Sequence, residues 1–142
     1  MRVVITGASR GIGRATAVKL AADGAYAMTL CDVAYLDELE ALAKELRTSG
    51  CKVQTLKADM AKPAAPAKVI AAAAKFMGGI DAIVGNAGIT APGRLADLDL
   101  ATWDRVFDIN LRANWLLAKA AYPHLRRSRG AVVMLASMAG KV

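Results

Sequence analysis

A chain of 142 residues that is 56% hydrophobic and 22% charged is long enough for one domain with a buried core and too apolar to be disordered. Its net charge of +7 raises nucleic acid as a partner, but the basic residues are dispersed except for Arg126, Arg127 and Arg129 at a predicted helix end, where they complement the helix dipole. No aromatic-studded basic platform accompanies them and no apolar run reaches the roughly 20 residues of a membrane span, so neither nucleic acid nor membrane is expected as a partner.

In chain order, strand and helix patterns alternate with little between them. Residues 3–6 are short, apolar and β-branched, as a buried parallel strand requires. That strand follows Met1 almost at once, which leaves no room for a signal peptide and makes a cytoplasmic location the expectation. A glycine-rich loop leads into a helix with Ile12, Ala15, Thr16 and Leu20 at helical spacing, ended by Asp23-Gly24. Residues 25–31 read as a second strand closed by Asp32, and residues 36–49 as a helix with Leu36, Leu39, Leu42, Ala43 and Leu46 on one face. Residues 52–56 alternate as a third strand and run into Ala58-Asp59-Met60. Residues 63–77 are an alanine-rich helix with Pro63 and Pro66 in its first turn, where proline is tolerated. Residues 80–84 form a fourth strand ahead of Gly85-Asn86-Ala87-Gly88. A loop with Pro92 and Gly93 precedes one long helix over about residues 102–127, with Asp97, Asp99 and Asp104 capping its start. Residues 132–135 are a fifth strand ending at Ser137.

Five strands with intervening helices predict an α/β domain over residues 1–142, a doubly wound parallel sheet of the Rossmann type. The fifth strand is apolar throughout, as if buried on both faces, yet residue 142 follows closely. The sheet is therefore expected to be incomplete, its cover supplied by further chain or by another molecule. Cys31 and Cys51 fall in predicted strands without a CxxC pairing or a histidine neighbour, so they read as small buried hydrophobes, and no metal site is expected. His124 has no carboxylate or cysteine partner nearby in sequence and reads as a surface residue. Trp103 and Trp115 suit a packing or subunit-contact face.

The loop Thr6-Gly7-Ala8-Ser9-Arg10-Gly11-Ile12-Gly13 carries the chemistry. Gly7 turns the chain out of the first strand, Gly11 removes a side chain where backbone approaches a pyrophosphate, and Gly13 lets the next helix pack on the sheet. The helix N-terminus then offers free N–H groups and positive dipole to phosphates. Asp32, at the tip of the second strand, accepts hydrogen bonds from a ribose diol and repels a 2′-phosphate. This favours NAD, with NADP as the alternative because Arg10 offers a cation to such a phosphate.

With these residues in view, the whole chain resembles the short-chain dehydrogenase/reductase family. Its TGxxxGIG loop stands at residues 6–13, and the acid that contacts adenine after the third strand is matched by Asp59, with Met60 beside it. The NNAG motif is matched by Asn86, Ala87 and Gly88, while Gly85 replaces its first Asn, a side-chain tether of the sheet. Asp108-Ile109-Asn110-Leu111 is similar to the segment with the catalytic-site Asn, and Ala136-Ser137-Met138-Ala139-Gly140 to the segment with the catalytic Ser.

The resemblance implies reversible hydride transfer between nicotinamide and an alcohol or carbonyl, with cofactor contacts at Gly7, Ser9, Arg10, Gly11, Ile12, Gly13, Asp32, Asp59, Met60, Asn86, Ala87 and Gly88. Ser137 would hydrogen-bond the substrate oxygen, and Asn110 would hold a water in a proton relay. The family's general acid/base is a Tyr followed four residues later by a Lys, which lowers the phenol's pKa. Tyr26, Tyr35 and Tyr122 are followed at that spacing by Leu30, Leu39 and Arg126, so the chain alone is expected to be inactive. A homodimer or homotetramer is expected of the full-length protein. Two other readings stand beside this one: a non-catalytic module in which NAD is a structural or sensing ligand, and a basic face for RNA.

Overall fold

The computed structural model describes residues 1–91 and 93–137. Pro92 of the predicted loop, and Met138, Ala139 and Gly140 of the serine segment, lie outside the described residues. The strands are β1 (Arg2–Thr6), β2 (Ala27–Asp32), β3 (Lys52–Lys57), β4 (Ala82–Gly85) and β5 (Ala131–Met134). They form one parallel sheet in the order β3-β2-β1-β4-β5. Between them run helices α1 (Gly11–Ala22), α2 (Leu36–Thr48), α3 (Ala65–Met77), α4 (Leu100–Phe107) and α5 (Ala113–Ser128). The Rossmann-type α/β architecture expected from the sequence is therefore present.

β1 takes the centre because both of its faces are apolar: Val3, Val4 and Ile5 are fully buried. Alternation sends Val3 and Ile5 to one side, where Met28, Leu30 and Val53 meet Ala17 of α1 and Leu39, Leu42, Ala43 and Leu46 of α2. Val4 and Ile83 face the other side, against Val69, Ile70 and Ala73 of α3 and Leu117 and Ala121 of α5. Each aliphatic side chain buried this fully contributes about 1.5–3 kcal/mol. The chain winds outward from β1 to β3 and then crosses to β4, so the switch point lies between β1 and β4. There the carboxyl ends of the strands leave a crevice.

Gly13 and Ala17 take the inner face of α1, and Ile12 is 64% exposed. A helix seated closely on a buried strand favours small residues there. Three expectations change. The predicted helix over 102–127 is two helices joined by a π-helical segment, Asp108–Arg112, so Trp103 and Trp115 belong to different helices. α4 starts at Leu100 with Asp99 as its cap, the carboxylate accepting the Thr102 N–H at 2.7 Å, whereas Asp104 lies inside the helix. α3 starts at Ala65, with Pro66 in its first turn and Pro63 ahead of it. Among the described residues β5 pairs only with β4, and Val132 and Val133 are about half exposed, in keeping with the incomplete sheet expected from the sequence. The outward side chains Leu100, Trp103, Phe107, Leu111 and Trp115 follow one another along α4, the π segment and α5.

Arg2 and Asp81 tie the start of β1 to the approach to β4. The Arg2 Nη2 donates to Asp81 Oδ1 at 2.6 Å, and the Arg2 backbone N–H donates to Oδ2 at 2.7 Å. The hydrogen bond from the Arg2 guanidinium holds the Asp81 carboxyl below its ordinary range. Asp81→Asn is expected to cost about 1 kcal/mol near neutral pH. Because the folded-state pKa is the lower one, this contribution is complete above the unfolded carboxyl value of about 4 and fades as pH falls through the folded value. The melting temperatures of the two proteins should therefore converge on acidification; a gap that widens instead would contradict the assignment.

Candidate active site

Two cavities meet over the carboxyl ends of the strands. The first, about 400 Å³, runs from Gly7 and Gly11 past Asp32 to Asp59 and Met60. The second, about 760 Å³, is lined by Ile12, Asn110, Asn114 and Ser137. They share Arg10 and the residues 86–89, so the loop after β4 is the common wall of one cleft.

The glycine loop shapes the middle of that cleft. Gly7 and Gly11 have φ of +62° and +57°, a left-handed conformation that glycine adopts without steric cost. A Cβ on Gly13 would come within 2.3 Å of the Gly7 carbonyl oxygen, so this glycine is required by the contact between helix and loop. The N-terminus of α1 has no side-chain cap and no acidic residue in its first turn. Its leading N–H groups therefore remain available to an anion. Ser9 is 1% exposed and Gly13 is buried; both support the cleft from behind rather than line it.

Asp32 is held by four donors. Its Oδ2 accepts from the Ser9 hydroxyl at 2.5 Å and the Ser9 N–H at 3.2 Å, and its Oδ1 from the N–H groups of Val33 at 2.8 Å and Ala34 at 3.3 Å. Arg10 makes no ion pair with it among the described residues; its guanidinium lies over the ring of Tyr35, 3.8 Å from the centroid. Tyr35 itself has φ +52°, rare for an aromatic residue. Cys31, also on the cavity wall, is fully buried, and burial followed by the nearby Asp32 charge pushes its thiol up to about 12. It is therefore a neutral thiol, as expected of a small buried hydrophobe. Asp59 accepts the Ala61 N–H at 3.0 Å, and Met60 is buried between cleft and core.

The loop after β4 is tethered to the glycine loop. Thr6 Oγ1 accepts the N–H groups of Asn86 and Ala87, each at 3.0 Å, and Asn86 Nδ2 donates to the carbonyls of Thr6 at 2.9 Å and Gly7 at 2.8 Å. The Asn86 side chain thus ties strand ends together, while Ala87 and Gly88 line the cleft. Asn110 sits in the π segment and grips Ile89 with both ends of its amide, accepting the Ile89 N–H and donating to the Ile89 carbonyl at 2.9 Å each. Short π insertions in longer helices recur at functional sites, because they turn backbone groups out of the regular ladder.

The family profile for short chain dehydrogenase matches residues 1–142. The chain belongs to the short-chain dehydrogenase family. Versicolorin reductase 1 of Aspergillus parasiticus is 35% identical over 137 residues, covering 94% of this chain and 50% of that protein. An NADH-dependent reductase A1-R′ complexed with NAD superposes with a TM-score of 0.90 at 35% identity, over 99% of this chain and 61% of that one. A short chain dehydrogenase from Burkholderia cenocepacia in complex with NADP gives a TM-score of 0.84 at 36% identity, over 87% of this chain and 50% of that one. The chain spans about half the length of the curated relatives it matches.

Within this short-chain dehydrogenase segment, the geometry gives Thr6 of the glycine loop the role of bridging the two loops. It also adds residues that the motifs did not name: Tyr35 carries Arg10, and Arg105 of α4 reaches the first cavity. Asn114 joins Asn110 and Ser137 in the second. Of these, only Asn114 had a readable signal, its i,i+4 spacing from Asn110. The others depend on contacts between distant segments. No helix among the described residues is long and apolar enough to cross a membrane, and they contain no group of three or more possible metal ligands.

Proposed function

We propose that the protein containing this chain is an NAD-dependent oxidoreductase that interconverts an alcohol and a carbonyl. The observation that carries this reading is the continuous cleft with Asp32 at one end and Asn110 and Ser137 at the other. A dinucleotide fits the residues present. The cradle over Gly11 is open, with nothing within 4 Å of where a Cβ would stand, and the uncapped α1 terminus suits a pyrophosphate. The acceptors of Asp32 suit a ribose diol, and Asp59 and Met60 the adenine. Ala87 and Gly88 suit the nicotinamide ribose. When bound, the nicotinamide supplies or accepts the hydride.

The chain's own residues bind and orient. Asp32, fixed on the cavity wall by Ser9 and by the N–H groups of Val33 and Ala34, accepts from the ribose hydroxyls. Ser137 donates a hydrogen bond to the substrate oxygen and fixes its position. Asn110, its side chain committed to Ile89, offers its backbone carbonyl to a proton-relay water.

None of the tyrosines suits the general acid/base. Tyr26 hydroxyl accepts from Lys52 Nζ at 2.7 Å, Tyr35 lies under Arg10, and Tyr122 is 62% exposed on α5. We assign that role to the part of the whole protein beyond residue 142, so that residues 1–142 are a dinucleotide-binding domain and inactive alone.

The direct test compares NADH and NADPH with the full-length protein. The Asp32 carboxylate repels a 2′-phosphate, so kcat/KM should favour NADH by about tenfold or more, equivalent to about 1.4 kcal/mol. A preference for NADPH would contradict the role given to Asp32. Binding of NADH without turnover of any alcohol or carbonyl would favour the non-catalytic module.

A further inference from the structure

The backbone of Gly85 is covered by a side chain from the opposite wall. A Cβ at position 85 would meet Asn114 Oδ1 at 2.2 Å, Met134 Sδ at 2.3 Å and Asn114 Cγ at 3.1 Å. The space a side chain on the end of β4 would fill therefore already holds the carboxamide of Asn114, from the first turn of α5. The same amide turns back one helical turn, its Nδ2 donating to the Asn110 carbonyl oxygen at 2.9 Å. Among the described residues no donor reaches its Oδ1, and Asn114 lines the cavity shared by Asn110 and Ser137.

We propose that Asn114 is a positioning residue of this site, which sets the Asn110 carbonyl and takes the place that an Asn on the end of β4 would fill. The exchange is reciprocal. Glycine at 85 makes the room, and Asn114 shares it with Met134 Sδ, packing its amide against the strand end while it holds the π segment. A carbonyl oxygen has two lone pairs; the Asn114 amide takes one and orients the other. Without that donor the π segment can relax, and the carbonyl loses its fixed direction into the cavity. The inference rests on the oxidoreductase reading for its effect on turnover, but not for its effect on packing.

Three measurements on the full-length protein test it. The first is a double-mutant cycle in melting temperature, without cofactor. Gly85→Asn alone should lower Tm by about 5 °C or more, whereas the same change made on top of Asn114→Ala should cost clearly less. Additive losses would overturn the exchange. The second uses Asn114→Asp, which keeps the shape and removes the donor. Its kcat should fall about tenfold near pH 8, and the ratio to wild type should recover as pH falls and the protonated carboxyl regains an O–H donor. A flat ratio would overturn the positioning role, since a packing role has no reason to follow that titration. The third is amide exchange of residues 108–113, which should be about tenfold faster in Asn114→Asp near pH 8. If the wild-type protein shows no turnover, the oxidoreductase reading fails. Exchange then decides for Asn114 alone: unchanged rates overturn the inference and faster rates support it.

Discussion

Replacing Gly13 by alanine is expected to lower the melting temperature by about 10 °C and to abolish measurable dinucleotide binding. Alanine is the better helix former, so the substitution should gain up to about 1 kcal/mol from propensity alone. Contacts decide against it. The added Cβ would stand 2.3 Å from the Gly7 carbonyl oxygen, 2.6 Å from Asn86 Nδ2 and 3.0 Å from Ala8 Cα. None of these neighbours is free to give way, because Asn86 Nδ2 itself donates to the Gly7 carbonyl at 2.8 Å and Ala8 is fully buried. The strain is relieved only by lifting α1 off the loop, at a cost of about 3 kcal/mol. That movement also carries the helix N–H groups away from the cleft. Gly11 is the contrast: its φ is +57° but nothing lies within 4 Å of its Cβ position, so Gly11→Ala should cost only the left-handed penalty of about 1–2 kcal/mol. Thermal melts and NADH titration of both variants check this. A Gly13→Ala protein no less stable than Gly11→Ala would defeat the argument.

The second large effect is on chemistry. In the full-length protein Ser137→Ala should reduce kcat by about 10²–10³, the usual loss when one donor to a reacting oxygen is removed. NADH affinity should change by less than about twofold, well under 1 kcal/mol. The separation follows from placement: Ser137 lines the second cavity, whereas Gly11, Asp32, Asp59 and Met60 line the first. Steady-state kcat together with a fluorescence titration of NADH distinguishes the outcomes. Comparable losses in both would show that Ser137 supports the cofactor rather than the substrate oxygen.

Parts of the cleft were legible because they rest on local rules. The glycine spacing, the acid closing β2 and the motif after β4 each sit at a strand end, and a parallel sheet brings all strand ends to one edge. Ile12 shows where such reading stops. Its helical spacing with Leu20 marks a helix, but periodicity locates a stripe without saying how close the sheet will come. At this contact only Gly13 and Ala17 are small enough, and Ile12 turns out to the cleft. Asn110 was found by its motif, yet the π segment around it was not. A π-helical stretch this short has no distinct sequence period, and the sequence read as one continuous helix.

The sequence by itself determined the alternation of strands and helices, the Rossmann-type sheet, the dinucleotide loop and the residues gathered at its edge, since these follow from periodicity and from the backbone freedom of glycine. Tertiary structure alone decided what each of those residues does within the edge. Ser9 holds Asp32, Asn86 ties two loops, Asn110 grips Ile89, and Asn114 fills the space over Gly85. The reason is physical. Each of these contacts joins segments far apart in the chain, and a hydrogen-bond donor on one segment selects its acceptor only after packing has brought the other within about 3 Å.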